Sequence, residues 1–178
     1  MILPGFRRRS QARTIRALYG AVVAQARLAA FYANYGVPDS VAGRFDLIVL
    51  HLVLLLRRLS RDSDLSRSLG QDLFDEFCRD LDANLREMGV GDLAVPKRMQ
   101  GFAEAFYGRQ AAYLEAFAAA DRQAFENALS RNIFIGSIED RAARLTRYAY
   151  AVMSELAGQT DDALLRGEVV FPAPDAIA

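Results

Sequence analysis

The sequence predicts an all-α fold: one compact domain of about six or seven helices joined by short connections. Three observations carry that prediction. Apolar residues recur at helical spacing through most of the 178 residues. Glycine and proline stop signals separate those stretches. No repeat, low-complexity tract or long linker interrupts them. A chain of this length buries roughly two-thirds of its unfolded surface, so it can build a core without staples. Its 52% hydrophobic and 25% charged residues are ordinary for a globular protein.

The helices can be taken in order. From about Gln11 to Tyr35, Ile15, Leu18, Tyr19, Val22, Ala26, Ala29 and Tyr32 mark one apolar face. Gly36-Val37-Pro38-Asp39 ends that helix, and Ser40 to Gly43 reads as a short connection. Arg44 to Leu59 is apolar on nearly every side. It is too short to span a bilayer, which takes about 20 apolar residues, and it carries Asp46 and His51. It reads as a helix enclosed by others; a buried strand is the alternative, disfavoured by length and by helical neighbours. Ser60 to Ser68 is polar and turn-like. Gln71 to Met88 is amphipathic, with Leu73, Phe74, Phe77, Cys78, Leu81, Leu85 and Met88 inward. Asp75 with Arg79 and Asp82 with Arg86 stand four apart on its outer face, the spacing of helical ion pairs. Gly89-Val90-Gly91-Asp92-Leu93 closes it.

The next helix runs from about Pro96 to Ala119, with Gly108 weakening its middle or permitting a close crossing or kink. Asp121 is the expected N-cap of Arg122 to Ile133. Glu139 to Leu156 is the last long helix. After it, Asp161 or Asp162 caps a brief turn, and Leu164 to Pro174 trails off as an irregular or extended tail. These readings divide the chain into a basic flexible arm (residues 1–10), a helical domain (11–174) and a C-terminal tail (175–178).

Charge is unevenly placed. The formal net charge is zero, which argues against the chain as a whole binding DNA or RNA. Yet no acidic residue precedes Asp39, while Arg7, Arg8, Arg9, Arg13, Arg16 and Arg27 do. The cluster Arg7, Arg8, Arg9, Arg13 and Arg16 is the candidate contact with a membrane or another anionic surface; a solvated terminus is the plain alternative. The apolar run after it is short and interrupted by Tyr19 and Gly20, so a cleaved signal peptide is not expected. A mitochondrial leader stays open. The single cysteine, Cys78, forms no internal disulfide and points to a reducing compartment.

No catalytic constellation is expected. His51 is the only histidine and sits on an apolar helix, where a hydrogen-bonded core residue is the preferred reading over a base or metal ligand. Asp72, Asp75, Glu76, Asp80 and Asp82 are interleaved with arginines and lack the Glu-x-x-His pattern of di-iron bundles. They read as a solvated face, with a carboxylate-metal enzyme as the alternative. Cys78 has no activating base beside it. Gly89-Val90-Gly91 is not a phosphate loop. No cofactor, metal or small-molecule substrate is expected. The turn near residue 90, with Asp92, Lys97 and Arg98, is the candidate partner-binding surface, because exposed backbone and mixed charge suit recognition.

Several segments taken together resemble the ubiquinol–cytochrome c chaperone family. They are Phe31-Tyr32 with Gly36-Val37-Pro38-Asp39, Gly43-Arg44-Phe45-Asp46, His51, Leu56-Arg57-Arg58-Leu59, Leu85 to Leu93 with Lys97-Arg98, Phe106-Tyr107-Gly108-Arg109, and Arg131-Asn132. The resemblance spans Ile15 to Pro172. It implies a non-enzymatic assembly factor that binds cytochrome b, or its nascent chain, as the bc1 complex (ubiquinol–cytochrome c reductase) is built. The ribosome and the cytoplasmic membrane surface are further implied partners. The implied location is the bacterial cytoplasm or the cytoplasmic face of the inner membrane, or alternatively the matrix side of the mitochondrial inner membrane. Arg44, Tyr107 and Arg109 lie within the resembling segments and join Asp92, Lys97 and Arg98 as candidate partner-binding residues. A peripheral membrane-binding module is the remaining alternative.

Overall fold

The computed structural model describes residues 4–60, 63–135 and 139–177, with side chains from Gln11 onward except that of Glu139. Among them lie six helices of eleven residues or more: α1 (Pro4–Ala26), α3 (Val41–Leu59), α4 (Asp64–Glu87), α5 (Val95–Ala118), α6 (Arg122–Asn132) and α7 (Glu139–Gly158). Two single-turn helices, α2 (Ala29–Ala33) and α8 (Asp161–Leu165), and a 3₁₀ turn at Pro174–Ala176 complete them. The described residues contain no strand. The all-α prediction holds.

α3 is the axis. It packs against α1, α4, α5 and α7, while α6 bridges α5 and α7. Leu47, Val49, Leu50, Leu52, Val53 and Leu55 are wholly buried. Residues on every side of a helix can be buried only if neighbours enclose it, and here they do. Each such side chain contributes about 2 kcal/mol of transfer free energy. Among the described residues, no helix is long and apolar enough to cross a membrane.

Local chemistry sets the boundaries. Ser40, Ser63, Asp121 and Thr160 each accept a hydrogen bond from the backbone N–H three residues on, capping α3, α4, α6 and α8. At the end of α4, Gly89 has φ +80°. Val90 N–H reaches back to the Leu85 carbonyl and Gly89 N–H to that of Arg86, both at 3.0 Å. That pair of bonds is a Schellman closure, which needs the left-handed region glycine enters freely. Gly43 serves differently: a Cβ there would overlap the Pro38 carbonyl oxygen, so its hydrogen lets the start of α3 press against the preceding turn.

Six expectations need correction. Met88 does not face inward: it stands at the C-terminal boundary of α4, past the buried stripe, and is 69% exposed. Residues 11–35 do not form one helix. α1 ends at Ala26, Leu28 is extended (φ −60°, ψ 131°), and α2 restarts at Ala29. The Tyr32 hydroxyl donates to the Ala26 carbonyl at 3.0 Å, satisfying an orphan acceptor of the broken end. Ser60 to Ser68 is not all turn, because α4 starts at Asp64. Its first turn is held by the Ser63 cap and by the buried Ser66, whose hydroxyl donates to Asp161. Arg79 pairs with Glu76, not Asp75, which accepts from Gln71 instead. Thr160 caps α8, rather than Asp161 or Asp162. Gly108 marks neither a close crossing nor a kink: α5 runs on through it, and a Cβ there would meet nothing within 4 Å.

α1 begins at Pro4, upstream of the periodic face, since proline suits a first helical turn. At the other end the Tyr35 hydroxyl donates to the Pro174 carbonyl at 2.7 Å, and Asn34 donates to Asp175 at 2.8 Å. These bonds tie the C-terminal segment to the α2 turn.

Candidate functional site

His51 is fully buried in α3. Its Nδ1 lies 2.7 Å from the Leu47 carbonyl and its Nε2 2.8 Å from the Tyr148 hydroxyl. A carbonyl can only accept, so Nδ1 carries the proton and Nε2 accepts from Tyr148. Gln25 Nε2 donates to the same hydroxyl at 2.8 Å and to the Pro172 carbonyl at 2.9 Å. Phe31, Tyr148 and Phe171 surround the imidazole ring. Burial pushes its pKa down to about 4, against a smaller raising effect of the Leu47 bond. The residue is a neutral structural link between α1, α3, α7 and the C-terminal segment, with no free nitrogen for a substrate or metal.

The acidic residues of α4 do not converge. Asp72 accepts from Gln11 and Asp80 from the Tyr19 hydroxyl, while Asp82 pairs with Arg86. Among the described residues, no group of three His, Cys, Asp or Glu side chains is placed to hold a metal ion. Cys78 is half-buried against the core, and burial raises its thiol pKa, which disfavours the reactive thiolate.

The side chains of residues 1–10 lie outside those described, and Arg7, Arg8 and Arg9 with them. Arg13 and Arg16 are exposed on α1.

The partner-binding candidates separate into four places. Lys97, Arg98 and Arg109 line one groove of about 860 Å³ between the starts of α3 and α5. Tyr107 lines a different groove of about 400 Å³ beside Leu56, Phe74 and Phe106. Arg44 is exposed and paired with Asp39 at 2.8 Å, and Asp92 is exposed and paired with Arg86.

The larger groove has the distinctive chemistry. Val41 and Ala42 from the first turn of α3 face Ala94, Lys97 and Arg98 from the start of α5. Phe45 and Phe102 form the floor, their ring centroids 5.1 Å apart. At its base Asp46, 4% exposed, pairs with Arg109 at 2.8 Å. The Arg109 guanidinium also lies over the Phe45 ring, 5.7 Å from its centroid. Burial pushes the Asp46 carboxyl up to about 6 despite the opposing pull of Arg109. The side chains of Lys97 and Arg98 take no hydrogen bond or ion pair from another described residue, and both are exposed. Two cations at a helix start oppose the macrodipole, each at roughly a few tenths of a kcal/mol. Sequence reading missed Val41, Phe45, Asp46 and Phe102 as parts of this surface. The available signals were an aspartate within a largely apolar helix and the resembling segment Gly43-Arg44-Phe45-Asp46.

The groove lies wholly within the part of the chain that matches known proteins. The family model described as ubiquinol-cytochrome C chaperone matches residues 33–171. Among solved structures, the crystal structure of the Cbp3 homolog from Brucella abortus superposes with a TM-score of 0.89. It is 38% identical, with 100% of each chain covered. No curated protein matches the sequence. A family model covering most of the chain and a full-length structural relative at that identity converge on one conclusion: the chain belongs to the ubiquinol-cytochrome C chaperone family.

Proposed function

We propose that the chain is a non-catalytic assembly chaperone that binds cytochrome b, or its nascent chain, while the bc1 complex is built. The observation that carries this reading is the family match over residues 33–171. The organisation of the molecule supports it. The buried histidine, the half-buried thiol and the separated carboxylates supply no nucleophile–base pair, whereas an open apolar groove with a cationic rim suits protein recognition. Hydrophobic cytochrome b helices need shielding between synthesis and insertion, and a rigid helical scaffold can hold an apolar segment in a groove. The chaperone would work at the cytoplasmic membrane surface, near the translating ribosome, with Arg13 and Arg16 toward anionic headgroups. In a mitochondrial setting the same work falls to the matrix face of the inner membrane.

The test is a strain lacking the chain. Reduced-minus-oxidised spectra of its membranes should show loss of the b and c1 haems of the bc1 complex. Affinity purification of the restored, tagged chain should carry cytochrome b with it. Normal bc1 content in the deletion strain, together with no cytochrome b on the tagged chain, sinks the reading.

A further inference from the structure

The groove between the starts of α3 and α5 specifies its occupant more narrowly than apolarity alone. Both helices begin without an acidic residue in the first turn, and both first turns border the groove. Their positive dipole ends therefore act on the same space. Lys97 and Arg98 add two cations without a partner among the described residues. The acidic residue that lines the groove, Asp46, is buried and held by Arg109. The groove lining is thus net positive, with Lys97 and Arg98 in excess of the Asp46–Arg109 pair, and the carboxylates beside the two helix starts, Asp39 and Asp92, are already paired with Arg44 and Arg86. The interior is the reverse in character: Phe45, Phe102 and Ala105 offer carbon, and Val41 is 74% exposed with no neighbour covering it. An occupant must satisfy both, with apolar side chains for the floor and negative charge for the rim. A purely apolar segment would leave the cations unanswered, and a purely acidic one would leave the floor wet.

We infer that this groove binds a protein segment in which apolar side chains are flanked by carboxylates, the apolar residues seated on Phe45 and Phe102 and a carboxylate held by Lys97 and Arg98. The inference deepens the chaperone reading by naming the kind of client segment the site takes. It rests on that reading only for the identity of the client. Gly101 provides a clean way to close the groove, because a Cβ there meets nothing within 4 Å and a larger side chain would project into the vacant space.

The experiment uses the full chain and a labelled amphipathic peptide of leucine, phenylalanine and glutamate, read by fluorescence anisotropy. Its counterpart carries lysine for every glutamate. The glutamate peptide should bind and the lysine peptide should not. Lys97→Glu with Arg98→Glu should weaken binding about tenfold or more, in a salt-dependent way. Gly101→Phe should abolish binding without altering the circular dichroism spectrum. Equal affinity for the two peptides, or glutamate-peptide binding that survives both variants, overturns the proposal. So does binding confined to phosphatidylglycerol vesicles, which would make the groove a lipid contact. Cytochrome b co-purification separates this proposal from the reading beneath it. If the deletion strain keeps normal bc1 content and the wild-type chain fails to retain cytochrome b, the chaperone reading falls while the peptide pair still decides the groove. If the charge-reversed chain loses the peptide but keeps cytochrome b, the groove is not the client site and the chaperone reading stands.

Discussion

The buried His51 makes stability depend on pH in a direction and amount that follow from its contacts. In the unfolded chain an imidazole titrates near its ordinary pKa of about 6.5. In the folded chain burial holds it near 4. The folded-state value is the lower one, so the stabilising effect of a neutral His51 is complete above about pH 6.5. It is lost progressively as pH falls toward 4, because the unfolded chain takes up the proton first. Linkage gives about 2 kcal/mol lost between about pH 7 and pH 5. Asp46 works the other way. Its folded pKa is raised from 3.8 to about 6, so its contribution is complete below about 3.8 and is lost as pH rises through 6. Over the same interval it returns about 1 kcal/mol on acidification. The wild-type profile alone is therefore flattened, and the informative quantity is a difference. His51→Gln keeps a donor and an acceptor of similar reach but removes the titration. Urea denaturation followed by far-ultraviolet circular dichroism, at about pH 7, 6 and 5, measures unfolding free energy for both chains. The gap between wild type and His51→Gln should shift by about 2 kcal/mol in favour of the variant on going from pH 7 to 5. Parallel profiles would refute the assignment of a neutral, enclosed imidazole.

Three further outcomes are expected. Arg109→Leu leaves Asp46 buried without its counter-charge and should lower stability by about 3 kcal/mol at neutral pH, with part recovered on acidification as the carboxyl takes up a proton; thermal melts at two pH values check both. Gly43→Ala drives a methyl group into the Pro38 carbonyl and should destabilise by about 2 kcal/mol or more, whereas Gly108→Ala, facing open space within α5, should stabilise by about 1 kcal/mol; equal effects in urea titrations would contradict the described packing. Tyr148→Phe removes the hydroxyl shared by His51 and Gln25 and should cost about 1–3 kcal/mol, measured as a lowered urea midpoint at unchanged m-value.

Much of the fold was legible in the sequence because helical structure is local. The run of leucines and valines in α3 has no polar side, and such a helix has nowhere to lie except among others. His51 within it therefore reads as a core residue from the sequence alone. Asp121 before Arg122 and the glycines after Met88 mark their helix ends by chemistry that acts over three or four residues. Other local choices were degenerate. Arg79 has a carboxylate three residues back and another four back, both on its own face of the helix. The break at Leu28 left the apolar spacing intact on both sides, so periodicity ran straight through it.

The groove is of another kind. Val41 and Phe45 on α3 and Lys97, Arg98, Phe102 and Arg109 on α5 have no short-range relation in the chain. Each is unremarkable alone: an exposed valine, two terminal cations, a phenylalanine on an apolar stripe. The sequence by itself determined that there would be helices, where most would start and stop, and that α3 would be enclosed. Only the tertiary structure decided which helix starts would meet, and so which charges share a surface with which rings. The physical reason is range: capping and periodicity act within a turn or two of helix, whereas the pairing of Asp46 with Arg109 depends on how α3 and α5 pack across the core.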